Sequence, residues 1–539
     1  MHRHPCVKSL SHRGFIQGIT LFDQSTDTAL CHYFGGLRYA LPPSRRWRKA
    51  QKLPSNFTYG TKDKPCPCTG TSGVCPQPSF LNLSVESIWS EDCFQCNVWV
   101  PAGEPPKDGW PVLIFIHGGF LQFGTPNTFS ATNLLGEAGL DAIIVMPAYR
   151  LGVFGFLYSS ELQNDAASVG EPVGNQGFWD QRLALEWTKD NVSLFGGNPS
   201  QITISGYSAG AYSVFYQLAY DVHLPDDKAI VKQACIWSNG PATQPKSPAA
   251  AQVQFNQILS ALNIPVALPW AEKLFRLRSV TSQDLISAAV GVDLNQFRPT
   301  SDSVFIPNSL FKSFDNGNFG RRVAARSIRI MLGECQDERF LYATWFPPHK
   351  GLLSLHKRLL ADYPRPIVDT LMKLYYPEGK LPSDCQDWHN DAFGRVYADM
   401  QVHNTQRGLV HSLALGGAAH LLYRYRIEYR LKCADKSIPP DWGVTHATDQ
   451  YIWFWGNGET IEPREKLIIK RGLIDPWIKF VHGEPDIDWG TRNHWEIRTL
   501  KPDGSVQIWQ DGFWEEAMRV WKALREVGES DEIVEEAKL

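Results

Sequence analysis

One pentapeptide constrains this chain more than any other segment: Gly206-Tyr207-Ser208-Ala209-Gly210. It follows a short β-branched run at 201–205 and precedes a stretch, 209–220, that reads as a helix. A strand that becomes a helix within so few residues forces the residue at the tip, Ser208, into a strained backbone conformation. Glycines on both flanks remove side chains that would collide in such a turn. A serine placed there stands beyond the end of its strand, beside the free N–H groups of a helix N-terminus. That is the setting of a nucleophile. The competing reading is a glycine-rich turn that carries a solvent serine.

The surrounding pattern predicts an α/β protein. Residues 111–116, 142–146, 327–332 and 420–427 are buried-type strands, whereas 180–191 and 209–220 are helical. Strand–helix alternation predicts a mostly parallel central sheet with helices on both faces. Residues 245–310 and 345–400 read as helical excursions, of the kind that cover a site at the strand ends. Apolar spacing over 512–527 suits a closing amphipathic helix. No repeat or Gly/Ser linker divides the chain, so 21–528 is expected to be one unit. An N-terminal segment, 1–20, and an acidic tail, 529–539, are expected outside it. The N-terminus has no apolar core of a secretory signal, which predicts an intracellular protein.

Several function classes fall away. The net charge is −3, which supplies no basic field for nucleic acid. The longest apolar runs stay far below the roughly 18 residues that a membrane-spanning helix needs. Eleven cysteines are too few for a disulfide scaffold, and no structural-zinc spacing fits Cys66, Cys68, Cys75, Cys93 and Cys96. No metal or other cofactor is implied. Sequons stand at Asn56, Asn82 and Asn191.

A second motif, His117-Gly118-Gly119-Phe120, follows the strand at 111–116. Exposed glycines there can turn backbone N–H groups toward a substrate oxygen. The alternative is a plain strand-ending turn. The histidine beside the glycines is read as structural.

Taken in order, these motifs resemble the type-B carboxylesterase and lipase family, which includes cholinesterases and neuroligins. The resemblance runs through Phe34-Gly35-Gly36-Leu37-Arg38-Tyr39-Ala40-Leu41-Pro42-Pro43, Cys75-Pro76-Gln77 and Ser90-Glu91-Asp92-Cys93. It continues through the 117–120 loop, Tyr149-Arg150-Leu151-Gly152, Gly174-Asn175-Gln176-Gly177 and Phe195-Gly196-Gly197-Asn198-Pro199 to the serine turn. It implies an α/β-hydrolase fold and a serine esterase with a Ser-His-Glu triad. The family's acid falls on Glu338 in Gly333-Glu334-Cys335-Gln336-Asp337-Glu338-Arg339, with Glu334 and Asp337 as rivals. Its histidine falls on His446 in Gly443-Val444-Thr445-His446, while His411 and His420 suit packing roles. The oxyanion hole falls on the N–H groups of Gly119, Phe120 and Ala209, and the family's N-terminal disulfide on Cys75–Cys93.

Three departures matter. Arg339 stands where the family has Gly and could pair with Glu338. Phe120 stands where many relatives have a third Gly. Tyr207 replaces the Glu common in cholinesterases, which argues against choline esters. The implied substrate is a neutral small-molecule ester. Acyl transfer, lactonisation or a non-hydrolytic cyclisation would use the same triad. An adhesion-type role would suit a relative that had lost these residues.

Overall fold

The structure, a computed structural model, describes residues 2–80, 88–241 and 245–536. One large sheet organises them. Its strand order is His2–Ser9, Phe15–Phe22, Ala29–Arg38, Gln95–Pro101, Ile143–Pro147, Trp110–Ile116, Gly197–Tyr207, Gln233–Trp237, Arg329–Cys335, Leu422–Ile427, Glu496–Leu500 and Val506–Gln510. Neighbours from Ile143–Pro147 through Glu496–Leu500 are parallel. The first four strands and the last extend this block by antiparallel pairing.

The inner parallel strands Trp110–Ile116 and Ile143–Pro147 are buried at every position because both faces of the sheet are covered. Successive side chains point to opposite sides. Val112, Ile114, Ile116, Ile202, Ile204, Ala234 and Ile236 therefore join one core, while Leu113, Phe115, Cys235, Trp237 and Met331 join the other. The expected helices form over Gln176–Asn191, Ala209–Asp221 and, beyond the last strand, Trp514–Glu536. The two excursions contain Pro248–Ala261, Trp270–Ser279, Ser282–Gly291, Leu352–Leu360 and Arg365–Tyr375. A third apolar cluster, which includes Phe120, Tyr342, Trp345 and Tyr397, joins the second excursion to the carboxyl ends of the strands.

Three expectations need correction. The boundary at residue 20 falls inside the strand Phe15–Phe22, so the N-terminal segment is part of the sheet. The edge strand His2–Ser9 is mostly polar and charged with no buried residue, while Leu10 just after it and Ile16 in the next strand are in the core. The acidic segment from 529 is not a separate tail: the closing helix runs on to Glu536, and 537–539 lie outside the described residues. Cys75 and Cys93 are not bridged. They are buried free thiols in contact, Cys75 Sγ also accepts the N–H of Leu151 at 3.3 Å, and hydrogen bonding to Cys75 with burial pushes the Cys93 thiol well up. Asn191 is buried, its amide held by Trp187 and Arg13, so that sequon is closed to a glycan; Asn82 lies outside the described residues.

Arg13 pins the N-terminal hairpin. Its buried guanidinium donates to Asn191 Oδ1 at 3.2 Å and to the carbonyl of Pro54 at 2.7 Å. Arg13→Ala should cost about 2–3 kcal/mol in urea unfolding, because buried acceptors lose their donors. A loss below about 0.5 kcal/mol, the level of an ordinary surface change, would mean that the segment docks loosely.

Candidate active site

The strand registers bring the site segments to one level. Gly206 lies opposite Ile116, Tyr207 opposite Trp237, Trp237 opposite Gly333, and Cys335 opposite Ile427. The chain leaves each of these strands at the same edge of the sheet, where ligands of parallel α/β folds bind. Ser208 follows the first directly, with φ 55° and ψ −128°, and its N–H donates to the carbonyl of Trp237 at 2.9 Å.

Two loops meet it. In one, after the strand Arg329–Cys335, Glu338 is fully buried and its Oε1 accepts the N–H of Cys335 at 2.8 Å. In the other, His446 is buried beside it. The N–H of Asp337 donates to the carbonyl of Val444, and the N–H of Val444 returns to Asp337 Oδ2, so the loops are stitched in both directions. His446 Nδ1 lies 2.5 Å from Glu338 Oε2, and Nε2 lies 2.8 Å from Ser208 Oγ. With Nδ1 donating to the carboxylate, Nε2 is left to accept the serine proton.

The other candidates go elsewhere. Glu334 is buried in an ion cluster with Arg407, Arg426 and His403, which holds its carboxyl well below the usual range despite burial. Asp337 caps the histidine loop. His411 and His420 belong to the helix Asn404–Leu415 and a 3-10 turn, away from Glu338. Arg339 does not pair with Glu338: its guanidinium reaches Asp391 at 3.0 Å and lies over Phe340.

The 117–120 loop lies on the serine turn. A Cβ on Gly118 would come within 2.9 Å of Ser208 Cβ. Each of the three expected N–H groups belongs to a peptide whose carbonyl is anchored on its far side. Gly118 O takes His117 Nδ1, Gly119 O takes the N–H groups of Gln122 and Phe123, and Ser208 O takes the N–H of Tyr212. Trans peptides then turn the N–H groups of Gly119, Phe120 and Ala209 the opposite way. No acceptor among the described residues takes those of Gly119 and Phe120. Gly119 has φ 109°, and a Cβ there would strike Phe123 O at 1.9 Å, so only glycine fits. Burial pushes His117 down to about 4, which leaves a neutral ring stacked on Tyr149 as a brace for the loop.

Two residues near the site had no sequence signal of their own. The Tyr342 ring lies tilted against the His446 ring at 4.3 Å, and the Tyr207 ring does so at 4.8 Å. Asp449 is fully buried, accepts from Ser238 Oγ at 3.0 Å, and has its second oxygen unpartnered. Burial, then the charge of Glu338, pushes its carboxyl up to about 8. A motif scan weighs Asp449 as one more acid in a loop; only the fold places it near Glu338.

The whole chain matches known proteins. The carboxylesterase family model covers residues 5–519. A carboxylic ester hydrolase of Gibberella moniliformis is 43% identical over 95% of this chain and 94% of its own length. The para-nitrobenzyl esterase of Bacillus subtilis is 32% identical over 89% of this chain and 93% of its own. The crystal structure of Aspergillus niger EstA superposes with a TM-score of 0.74 at 22% identity, over 97% of this chain and 99% of that one.

Asp449 offers a test of the site's electrostatics. A carboxyl whose folded pKa is raised holds a proton that the unfolded chain has released, so stability falls as pH rises between the two values. From pH 5 to 8 the melting temperature should therefore fall more steeply in the parent than in Asp449→Asn, whose amide cannot ionise. Equal slopes would mean that Asp449 ionises freely in the folded protein.

The match of fold, ordered motifs and near full-length relatives has one meaning: the chain belongs to the carboxylesterase family.

Proposed function

We propose that this carboxylic ester hydrolase cleaves neutral small-molecule esters through an acyl-enzyme on Ser208. The observation that carries the reading is the hydrogen-bonded line from Ser208 through His446 to Glu338. Ser208 Oγ attacks the ester carbonyl while His446 Nε2 takes its proton. Glu338 stays ionised, keeps the imidazole in the productive tautomer, and offsets the charge of the imidazolium. The carbonyl oxygen, now an oxyanion, accepts from the N–H groups of Gly119, Phe120 and Ala209. Loss of one such donor costs about 2.7–4 kcal/mol of transition-state stabilisation. The imidazolium gives its proton to the departing alcohol. Water, deprotonated by the same histidine, then attacks the acyl-enzyme and releases the acid.

The surroundings favour an uncharged substrate. The Phe120 ring stacks on Trp345 at 4.6 Å and meets the Tyr342 ring at 5.7 Å, which makes an aromatic wall beside the serine. The residue before the serine is Tyr207, buried against His446 and without a carboxylate to offer a cation.

A fluorophosphonate probe should label the intact protein at Ser208, and Ser208→Ala should lose both label and ester hydrolysis. Label retained in that variant would remove the nucleophile assignment.

Substrate charge is tested separately. For a choline ester and its neutral isostere of equal acyl length, kcat/KM should favour the neutral compound. Preference for the cation would mean that the aromatic wall binds it, since cation–π contacts contribute about 0.5–2 kcal/mol each.

A further inference from the structure

We propose that Arg298 is a positioning residue of the oxyanion hole: its guanidinium, reaching in from the first helical excursion, holds the Phe120 carbonyl and thereby keeps the N–H groups of Gly119 and Phe120 on the forming oxyanion. The proposal rests on the acyl-enzyme reading and adds to it a residue that touches the loop, not the substrate.

The loop needs such a hold. Gly119, Phe120 and Leu121 follow one another with φ 109°, 56° and 64°. Glycine takes such angles freely, but Phe and Leu rarely do, and two in succession are strained. A return of Phe120 to negative φ would turn the peptide that carries its N–H. Two carbonyls resist that return. Leu121 O accepts the N–H of Gly152 at 2.7 Å. Phe120 O accepts Arg298 Nη1 at 2.9 Å and Gln122 Nε2 at 3.2 Å. Gln122 moves with the loop and also donates to Phe297 O at 2.7 Å, beside Arg298. Among the described residues, Arg298 is the donor to this carbonyl that comes from outside the loop.

Arg298 is itself held fast. It is buried, its Nε donates to Asp362 Oδ1 at 2.7 Å, and its Nη2 donates to the Tyr397 hydroxyl oxygen at 3.0 Å. Asp362 Oδ2 takes the Tyr397 O–H at 3.1 Å and Arg358 Nη1 at 2.6 Å. Arg358 reaches on to the carbonyls of Phe346 at 2.7 Å and Trp345 at 3.2 Å. The rings of Trp345 and Tyr397 lie nearly parallel to the Phe120 ring, at 4.6 and 6.3 Å. One buried cluster therefore fixes Phe120 at its carbonyl and, through both ring neighbours, at its side chain.

The charge of the cluster has the sign that the reaction needs. A guanidinium stays protonated in proteins. Burial works against an ionised Asp362, but Arg298 and Arg358 hold its carboxyl below the usual range. Two cations and one anion leave one positive charge in excess. It sits on the carbonyl of the residue whose N–H receives the oxyanion. Where water is excluded, that charge attracts the oxyanion and has little to act on in a neutral ester, so it favours the transition state over bound substrate. For packing alone, an uncharged side chain of the same length would serve.

Arg298→Met keeps the length and removes the charge and the donors. The readouts are kcat and KM for a neutral ester, and the affinity for a trifluoromethyl ketone beside its methyl ketone counterpart. Ser208 Oγ adds to the activated ketone carbon, the serine proton passes to His446, and the ketone oxygen becomes the oxyanion; the methyl ketone binds without that addition. In Arg298→Met, kcat should fall about 10- to 100-fold, less than the loss of a whole oxyanion donor, with KM within about twofold. Affinity for the trifluoromethyl ketone should fall by a similar factor, and that for the methyl ketone should not. An unchanged kcat would overturn the proposal. So would equal losses for the two ketones, because Arg298 would then support the pocket and not the oxyanion hole. Arg298→Lys keeps the cation, but one ammonium does not span Asp362 and Phe120 O as the planar fork does. Its kcat should fall about three- to tenfold, and it carries the test if Arg298→Met does not fold: a kcat equal to the parent's there would overturn the proposal. A parent protein that hydrolyses no ester and takes no fluorophosphonate on Ser208 would remove the acyl-enzyme reading, and this proposal with it, before any variant is compared.

Discussion

The serine turn is pressed against the end of the neighbouring strand, and the rest of the site depends on that approach. A Cβ on Gly210 would lie 1.9 Å from the Ile116 carbonyl oxygen, and one on Gly206 would lie 2.3 Å from the carbonyl oxygen of Gly210. With hydrogens at both positions, the first turn of the helix Ala209–Asp221 packs onto the start of the 117–120 loop. Ser208 and the two loop N–H groups then form one rigid piece rather than two mobile ones. The backbone at Ser208, with φ 55°, costs on the order of 1–3 kcal/mol. That strain persists because strands on both sides over-determine the turn, through the Ile116 contact and the bond to Trp237.

Around this piece, polar groups serve position. The two-way bonds between Asp337 and Val444 tie the loop of Glu338 to the loop of His446, so the acid and the imidazole move together. Glu334, four residues before Glu338, has the opposite task. Together with Arg407, Asp511 and Arg424 it joins strands to the helical cover in a buried chain of alternating charge. Breaking such a chain at one member leaves an unpaired buried charge, which costs about 3–5 kcal/mol. Two carboxylates in one heptapeptide thus differ in role because of their partners, not their identity.

The legible part of the molecule was the part where backbone need dictates residue type. The serine turn, the glycine loop and the apolar parallel strands are of this kind, since few residues fit a positive φ, a 2 Å approach or burial on both faces. Less legible was whatever depends on long-range pairing. The antiparallel edge strand His2–Ser9 is mostly polar and charged with no buried residue, so no apolar period marked it. The partner of Arg339, Asp391, lies 52 residues away, and no local pattern announces it. Cys75 and Cys93, which the resemblance pairs, lie in contact as free thiols in the structure. Tyr342 and Asp449 carry no motif, and their relation to His446 and Glu338 arises from packing alone.

Charge management at the imidazole follows from those two residues. Two ionised carboxylates beside each other in a buried site repel strongly, so one of them keeps its proton. Glu338 has a charged-form partner in His446 and a backbone donor in Cys335, whereas Asp449 has one neutral hydroxyl and an unpartnered oxygen. The negative charge therefore belongs on Glu338, and the protonated Asp449 spares it a rival. As proton transfer makes the imidazolium, its charge meets one carboxylate along the Nδ1 axis and the rings of Tyr207 and Tyr342, at 4.8 and 4.3 Å. Aromatic faces attract a cation by about 0.5–2 kcal/mol each, and more where water is excluded. An acidic residue in place of Tyr207 would put a third carboxyl into the same buried space. The tyrosine instead supports the cation that this reaction generates, without adding to the charge that the fold must bury.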